Sequence, residues 1–256
     1  MPDVQDLTAK TVLLTGASGG IGSATASALL ERGAHLIAHY SSDRDGAERA
    51  CAQAPERVLL VQQDLSRAGA SRRLWQEAVA WRDRVDVVVL NAAVSVQTPL
   101  DGGDEEWDAG WDRTLRVNVL EPASLMREAV NHYRQHGGGA LITLSSWAAQ
   151  RGSAIPQLGA YAASKAAVQA LAQTIARNHA REGIFSYVVA PGIVQTPMSE
   201  ISAIHRGGVD AVNAALAMGE MAQPDEVGRL IAFLASGAVK NLTGATLDVN
   251  GASNIR

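Results

Sequence analysis

The sequence is poor in the features that mark secreted, membrane-spanning or nucleic-acid-binding proteins. Its 256 residues include one cysteine, Cys51, which excludes a disulfide within the chain and fits a reducing compartment. No run of about 18 apolar residues occurs, and Met1–Lys10 lacks the apolar core of a signal peptide. The formal net charge is -4, without a cluster of Lys or Arg. We therefore expect a cytoplasmic protein with neither a membrane nor a nucleic-acid partner.

What the chain does have is a repeated alternation of short apolar runs and longer helical patterns. Several runs are apolar almost throughout, which is typical of strands buried on both faces of a parallel sheet. No linker or composition shift divides residues 1–256, so we expect one α/β domain whose doubly wound sheet is covered by helices on both faces. The predicted strands are Thr11–Thr15, His35–Tyr40, Val58–Gln62, Val85–Leu90, Ala140–Leu144, Phe185–Ala190 and Ala245–Val249. The predicted helices span 20–32, 44–53, 67–82, 105–133, 158–182 and 224–236.

A glycine-rich turn, Thr15–Gly22, follows the first predicted strand and opens a helix. Glycines let the backbone turn sharply and approach a pyrophosphate, while a helix N-terminus offers unpaired N–H groups to an anion. An ordinary strand-to-helix turn has much the same composition. The position at the first strand of an α/β alternation favours a dinucleotide site.

The motifs that follow this turn carry a resemblance across nearly the whole chain. Thr-Gly-x-x-x-Gly-x-Gly resembles the turn of the short-chain dehydrogenase/reductase family, which implies a seven-stranded Rossmann fold and a nicotinamide cofactor. Asn91-Ala92-Ala93 resembles the family's Asn-Ala-Ala-Gly, with Val94 in place of the last glycine. The remaining matches, in family order, are Asp64-Leu65, Asn118, Ser145-Ser146, Tyr161-x-x-x-Lys165, Pro191-Gly192 and Thr196.

Tyr161 and Lys165 are four residues apart in a helical pattern and so share one helix face. A nearby ammonium favours the phenolate, so we expect the pKa of Tyr161 to be lowered from about 10 towards the working pH of a general acid–base. A packed tyrosine and an exposed lysine on an Ala-rich helix would show the same spacing. The glycine turn and Ser146 favour the catalytic interpretation.

The resemblance implies a role for each matching residue. Tyr161 would exchange a proton with the substrate, Ser146 would hold its carbonyl oxygen, and Lys165 would bind the nicotinamide ribose. Asn118 would keep a water linking Lys165 to solvent, although a structural amide inside the helix is the alternative. Ser145 competes with Ser146, and we choose Ser146 because the family's serine is usually the second of such a pair. The cofactor-binding residues implied, with no metal ligand, are Gly16, Ser18, Gly20, Ile21, Gly22, Asp64, Leu65, Asn91, Ala92, Ala93, Tyr161, Lys165, Pro191, Gly192, Ile193 and Thr196.

The end of the second strand bears on the choice of nicotinamide cofactor. By register this position is Tyr40, which is not acidic and so would not repel a 2′-phosphate. Ser41, Ser42 and Arg44 follow and could bond a phosphate, so NADP(H) is favoured and NAD(H) remains possible. Two features argue against NADP(H). Many NADP-using relatives carry a basic residue at the position of Gly19, and Asp43 and Asp45 add negative charge beside Arg44. Alternatively, the segment Ser41–Asp45 merely caps the next helix.

Two irregular stretches, Val94–Asp104 and Gly192–Met221, leave the carboxyl ends of strands, where ligands bind in such sheets. The second is long enough to form a substrate-binding lid, and residues 192–221 are assigned to it. The substrate pocket would also include residues of Trp147–Leu158. The interval between Ser146 and Tyr161 is about two residues longer than is common in the family, so we expect a pocket of different shape. Trp147 could wall the pocket or pack in the core. Apolar lid residues favour a moderately hydrophobic substrate; they are Met198, Ile201, Ile204, Met218 and Met221.

We expect an enzyme that reduces a carbonyl or oxidises a secondary alcohol on a small molecule. A 3-oxoacyl thioester (acyl carrier protein) reductase is a plausible subclass. A non-catalytic dinucleotide-sensing protein on the same fold is the alternative from another class, disfavoured by the retained Ser146, Tyr161 and Lys165. The helix Leu158–Ala180 is small or apolar nearly all round, which predicts a homodimer or homotetramer through it and the preceding long helix. An Ala-rich surface helix is the alternative.

Overall fold

Seven parallel strands form one sheet in the order β3-β2-β1-β4-β5-β6-β7. The structure is a computed structural model that describes residues 6–204 and 207–255, with the backbone alone for Ile201 and Ser202. The strands are β1 (Thr11–Thr15), β2 (His35–Tyr40), β3 (Val58–Gln62), β4 (Val87–Leu90), β5 (Gly139–Leu144), β6 (Ile184–Pro191) and β7 (Thr246–Val249). The predicted doubly wound sheet is confirmed, and every strand pair is parallel.

The helices that cover the sheet lie in the connections between successive strands. They are α1 (Gly20–Glu31), α2 (Arg44–Ala50), α3 (Ala70–Arg82), α4 (Asp104–Leu115), α5 (Glu121–Gln135), α6 (Ala148–Arg151), α7 (Gly159–His179), α8 (Pro197–Ile204), α9 (Val209–Ala214) and α10 (Pro224–Ser236). Short 3-10 turns occupy Pro55–Arg57, Pro156–Leu158, Ala180–Glu182 and Lys240–Leu242. Among these described helices, none is long and apolar enough to cross a bilayer.

The buried strand residues divide between two cores because successive side chains of a strand point to opposite faces. Val12 and Leu14 of β1 pack with residues of α1 and α10 on one face. Leu13, between them, packs on the other face with residues of α3, α5 and α7. The two-sided burial explains why these runs are apolar throughout rather than alternating.

The strand order reverses between β1 and β4, which opens a crevice at the carboxyl ends of the strands. The glycine turn follows β1, and residues 91–103 follow β4. The segment predicted as a lid contains α8 and α9, with His205 and Arg206 outside the described residues. The motifs predicted to bind the cofactor or the substrate therefore lie at the carboxyl ends of the strands.

Several predicted boundaries need correction. The helix predicted over 67–82 begins at Ala70, and β5, β6 and β7 differ from their predicted bounds by one residue at one or both ends. The strand predicted from Val85 begins at Val87, and the helix predicted over 44–53 ends at Ala50. The helix predicted over 105–133 is two α-helices joined by a π-helical segment, Arg116–Leu120. The helix predicted over 158–182 ends at His179 and continues as a 3-10 turn.

Candidate active site

The glycine turn between β1 and α1 is folded so tightly that side chains would not fit. Gly16 has φ +73°, a conformation that L side chains rarely adopt. A Cβ added to Gly22 would lie 1.8 Å from the Gly16 carbonyl oxygen. Asn91 Nδ2 donates to the carbonyl oxygens of Thr15 and Gly16, at 2.9 and 3.0 Å. The turn is thus tied to the end of β4 as well as to its own strand.

This turn fits the diphosphate of a dinucleotide cofactor. The first N–H groups of a helix have no partner within the helix, and no side chain caps α1 at Gly19. Those N–H groups and the positive end of the helix dipole face a cavity of about 550 Å³. The residues predicted to bind the cofactor that line this cavity are Gly16, Ser18, Gly20, Ile21, Gly22, Ser41, Asp64, Leu65, Asn91, Ala92, Ala93, Tyr161, Lys165, Pro191, Gly192, Ile193 and Thr196.

Three residues predicted at the end of β2 do not line the cavity. Tyr40 is buried, and Ser42 is exposed. Arg44 is exposed and its Nε lies 2.8 Å from Glu48 Oε1, one helical turn on. Because side chains alternate along a strand, His39 and Ser41 reach the cavity where Tyr40 does not.

Asp64 and Leu65 form the wall of the cavity after β3. Asp64 Oδ1 accepts hydrogen bonds from the Ser66 backbone N–H and hydroxyl, and these bonds hold the pKa of the carboxyl below its usual value. Leu65 is buried against Val117 and Ala70. The loop is therefore ordered by its own contacts.

Ser146 and Tyr161 meet in the cavity. Ser146 follows β5, and its Oγ accepts from the Ala148 backbone N–H at 3.2 Å. Tyr161, from α7, lines the same cavity, and the Ser146 side chain acts on it in the direction that lowers the pKa of the phenol. A substrate oxygen placed between them would face two hydroxyl groups.

Lys165, one turn further along α7, is only 4% exposed. Its Nζ donates to the Leu144 carbonyl oxygen at 2.8 Å and lies 5.7 Å from the centre of the Tyr161 ring. Burial lowers the pKa of Lys165 to about 8, because the charged form is poorly solvated. The ammonium thus faces the ring of Tyr161 at the bottom of the cavity.

The expected lowering of the Tyr161 pKa is wrong for the chain by itself. Burial raises the pKa of Tyr161, and the Ser146 side chain opposes this only partly. The spacing argument considered the charge of Lys165 but not the removal of the phenol from water. Tyr161 is consequently a neutral proton donor at pH 7.

Ser145 has a different position from Ser146. Its Oγ lies 3.0 Å from the Lys165 carbonyl oxygen and 3.0 Å from Gln169 Oε1. Its single proton is therefore directed to acceptors on α7 rather than to the site of the substrate. Ser145 ties α7 to β5 at the turn that carries Lys165.

Asn118 lies within the π-helical segment and is almost fully buried. Its Oδ1 accepts from the Val94 N–H at 2.8 Å, and its Nδ2 lies 2.9 Å from the Val94 carbonyl oxygen and 3.0 Å from Ser164 Oγ. π-Helical bulges are frequent at functional sites. Asn118 therefore joins the loop after β4 to α7 at Ser164, the residue before Lys165.

The substrate side of the cavity has mostly apolar walls. Trp147 lines it, and the Arg151 guanidinium lies 4.3 Å from its ring centre. Gln157 accepts two hydrogen bonds from Thr98, which joins the lengthened segment before Tyr161 to the loop after β4. Other lining residues are Val94, Ser95, Ser153, Ile155, Leu158, Ile193 and Met198.

The lid residues predicted to be apolar have unequal positions. Met198 lines the cavity, and Met221 is buried in a small cluster with Ala203. Ile204 and Met218 are exposed and do not line the cavity. The side chain of Ile201 is outside the described residues.

His39 and Arg113 line the cavity and were not predicted from the sequence. A polar residue near the end of an apolar strand was a signal for His39. Nothing local distinguished Arg113 from the other charged residues of its helix. Thr98, inside the predicted stretch Val94–Asp104, is buried against the lengthened segment. Within residues 6–204 and 207–255, no group of three His, Cys, Asp or Glu could hold a metal ion.

Comparison with known proteins agrees with this geometry. A family model described as Enoyl-(Acyl carrier protein) reductase matches residues 16–253. The chain is 33% identical to 3beta-hydroxysteroid dehydrogenase 1 of Eggerthella lenta, covering 96% of this chain and 94% of that protein. It is 33% identical to Cis-4-hydroxycyclohexanecarboxylate dehydrogenase of Sinomonas cyclohexanicum, covering 94% and 95%.

A solved structure gives the same result. The crystal structure of a 3-oxoacyl (acyl-carrier-protein) reductase from Agrobacterium tumefaciens with NADP bound superposes with a TM-score of 0.87 at 28% identity, covering 97% of this chain and 95% of that one. The chain belongs to the short-chain dehydrogenase/reductase family, and it is an oxidoreductase acting on CH–OH or C=O groups.

Proposed function

We propose that the protein moves a hydride between a nicotinamide cofactor and a ring-bearing secondary alcohol or its ketone, with Tyr161 as general acid–base. The observation that carries this proposal is the convergence of Tyr161, Ser146 and Lys165 in the cavity lined by the glycine turn. Lys165 lies in the same cavity. A purely structural tyrosine would not need a buried ammonium beneath its ring.

The proton chemistry follows from the surroundings of each group. Tyr161 holds its proton at neutral pH because burial raises its pKa, so it can donate that proton to the oxygen of a carbonyl being reduced. The Ser146 hydroxyl positions the same oxygen. When bound, the dinucleotide supplies or accepts the hydride and carries a positive charge in its oxidised form.

Lys165 and Asn118 support this exchange. After Tyr161 has given up its proton, the nearby ammonium of Lys165 stabilises the phenolate. With a pKa of about 8, Lys165 can itself release a proton near neutral pH. We propose that Lys165 binds the nicotinamide ribose. We also propose that Asn118, which is bonded to the Val94 backbone, keeps a water that links Lys165 to solvent.

The walls of the cavity support a ring-bearing substrate. Trp147 offers a flat apolar face, and Ile155, Leu158 and Ile193 surround the same space. The two curated relatives are named for hydroxyl groups on ring compounds. The second candidate is a 3-oxoacyl thioester, because one solved relative is a 3-oxoacyl (acyl-carrier-protein) reductase and the half-exposed apolar side chain of Met198 lines the cavity.

The test is a panel of ring ketones, ring alcohols and 3-oxoacyl thioesters with both cofactors, following the absorbance of the reduced nicotinamide. Tyr161→Phe should lower kcat/KM by about 10²–10⁴, since it removes one general acid. Tyr133→Phe is the matched control, because its hydroxyl bonds to the Ala140 carbonyl in the core. Full activity in Tyr161→Phe would refute the mechanism. Cofactor binding without turnover of any compound would favour a dinucleotide-sensing protein.

We also propose NADP(H) as the preferred cofactor, with NAD(H) as the weaker one. No acidic side chain ends β2; Ser41 lines the cavity there, and the exposed Ser42 and Arg44 follow it in the chain and could reach a 2′-phosphate. The check is the ratio of kcat/KM for the two cofactors. Arg44→Ala should lower the ratio for NADP(H), while Arg49→Ala on the same helix should not. A wild-type preference for NAD(H) would overturn this choice.

A homodimer or homotetramer is proposed through α7 and α4–α5. The first half of α7 exposes the small residues Ala163, Ala167 and Ala170, and Leu120, in the π-helical segment between α4 and α5, is half exposed. Small residues let helices of two subunits approach closely. Light scattering at micromolar concentration should give a multiple of the chain mass, and a monomer mass would contradict it. We assign the chain to the cytoplasm and to one domain with residues 192–221 as its lid.

A further inference from the structure

His39 is a buried imidazole at the edge of the cofactor cavity. It is the second-last residue of β2, is 1% exposed, and lines the cavity beside the glycine turn. Its Nδ1 lies 3.1 Å from the Gly16 backbone nitrogen, and its Nε2 lies 2.9 Å from the Gln63 carbonyl oxygen. The ring therefore spans from the turn after β1 to the loop after β3.

Its two neighbours allow one protonation state. The Gly16 N–H is a donor, so Nδ1 must accept, and the Gln63 carbonyl is an acceptor, so Nε2 must donate. The imidazole that meets both conditions is neutral with its proton on Nε2. Burial, which lowers the pKa of His39, acts in the same direction.

The contacts of His39 hold the turn at its first residues. The His39 carbonyl oxygen accepts from the Ala17 N–H at 2.8 Å, next to the bond between its ring and Gly16. On the opposite side, Asn91 Nδ2 donates to the Gly16 carbonyl oxygen. Gly16 is thereby held by β2 through its N–H and by β4 through its carbonyl group.

The other end of the ring bonds to the residue before Asp64. Gln63 continues β3 and leads into the Asp64–Leu65 wall of the cavity. An imidazole bonded at both ends fixes the distance between that wall and the turn. A site already in its binding conformation loses less entropy when its ligand binds.

We propose that His39 is a positioning residue for cofactor binding, whose neutral ring sets the spacing between the glycine turn at Gly16 and the loop at Asp64. This inference rests on the proposed function, because it concerns the same cofactor. It predicts that changes at His39 act on the affinity for the dinucleotide and not on the proton transfer at Tyr161. A side chain that keeps one of the two bonds should keep part of the effect.

The experiment measures dissociation constants for NADPH and NADH by fluorescence, together with apoenzyme melting temperatures and kcat at saturating cofactor. His39→Leu removes both bonds, His39→Asn keeps an acceptor for Gly16, and His39→Gln keeps a donor for Gln63. We expect His39→Leu to weaken binding of both cofactors about tenfold or more, and the two amide variants to weaken it less. kcat should stay within about twofold of wild type, since that factor is under 0.5 kcal/mol.

Tyr133→Phe is the stability control, since it removes a buried hydroxyl-to-carbonyl bond far from the turn. Binding unchanged in the His39 variants, or weakened equally in Tyr133→Phe at the same loss of melting temperature, would overturn the proposal. If His39→Leu fails to fold, the two amide variants decide by the same criterion. Wild-type protein that binds neither dinucleotide would instead refute the proposed function, which separates the two failures.

Discussion

Replacing the buried lysine of the active site should make the free protein more stable while destroying its activity. Lys165 is 4% exposed, and burial lowers its pKa from 10.5 to about 8. At 1.36 kcal/mol for each factor of ten, holding the ammonium in the cavity costs about 3 kcal/mol at pH 7. Lys165→Met removes the charge but leaves the Leu144 carbonyl without its donor, which costs about 1–2 kcal/mol. The expected net gain is about 1–2 kcal/mol.

The pH dependence gives this prediction a second signature. Below pH 8 the folded and unfolded chains both carry the Lys165 ammonium, so its cost is constant. Between about pH 8 and pH 10.5 the folded chain releases the proton and the unfolded chain still binds it. The free energy of unfolding of the wild type should therefore rise with pH in that window, relative to the methionine variant.

Urea denaturation of both proteins without cofactor, from pH 7 to pH 10, measures these differences. The stability difference in favour of Lys165→Met should be largest at pH 7, fall by up to about 3 kcal/mol towards pH 10.5, and so reverse its sign within that range. Lys240→Met is the control, because this exposed lysine should change stability by less than about 0.5 kcal/mol. A methionine variant that is less stable at pH 7, with a difference independent of pH, would refute the desolvation argument.

Three further changes test other parts of the site. Gly22→Ala places a Cβ against the Gly16 carbonyl oxygen, so fluorescence titration should show cofactor affinity at least about tenfold weaker, and unchanged affinity would contradict the geometry of the turn. Ser145→Ala removes the hydrogen bonds between β5 and α7, so urea denaturation should show a free energy of unfolding lower by about 1 kcal/mol, and kcat should fall. An unchanged kcat would show that these bonds do not position Lys165. Thr98→Val loses the hydroxyl bond to Gln157 and should raise the substrate KM a few-fold, equivalent to about 1 kcal/mol, with cofactor affinity unaltered. Equal changes in the two affinities would mean that Thr98 does not act on the substrate wall alone.

The bounds of a strand were predictable where burial on both faces requires an apolar residue at every position. β1, β2 and β3 have the predicted bounds, because apolar runs buried on both faces are bounded by polar or turn residues. β4 begins two residues later than predicted because the Asp86 carboxylate binds groups outside the strand pairing. Its Oδ2 accepts from the Thr11 N–H at 2.9 Å, and its Oδ1 pairs with Arg84. An apolar run cannot reveal such a pair.

The break in the long helix after β4 had one local signal, whereas the partners of Asn118 were not visible locally. Pro122, two residues after the π-helical segment Arg116–Leu120, has no N–H to donate to the Asn118 carbonyl oxygen. The bonds that Asn118 makes to Val94 and Ser164 join residues 24 and 46 positions away in the chain. Long-range contacts of this kind depend on the assembled sheet. The resemblance to a family identified Asn118, whereas its partners required the structure.

The alternation of side chains explains what was missed at the end of β2. Counting along the strand selected Tyr40 as the residue facing the cofactor, but Tyr40 is buried and its neighbours His39 and Ser41 line the cavity. A one-residue change in register moves a side chain to the opposite face. The choice of cofactor therefore depends on groups whose orientation no count of residues specifies.

Burial also changes how the catalytic pair has to be understood. Desolvation raises the pKa of Tyr161 and lowers that of Lys165, so it favours the neutral form of both groups. Spacing on a helix suggested that the lysine charge alone sets the state of the tyrosine, yet burial acts against the phenolate. A neutral phenol suits donation to a carbonyl, whereas removal of a proton from an alcohol requires positive charge in the cavity to stabilise the phenolate.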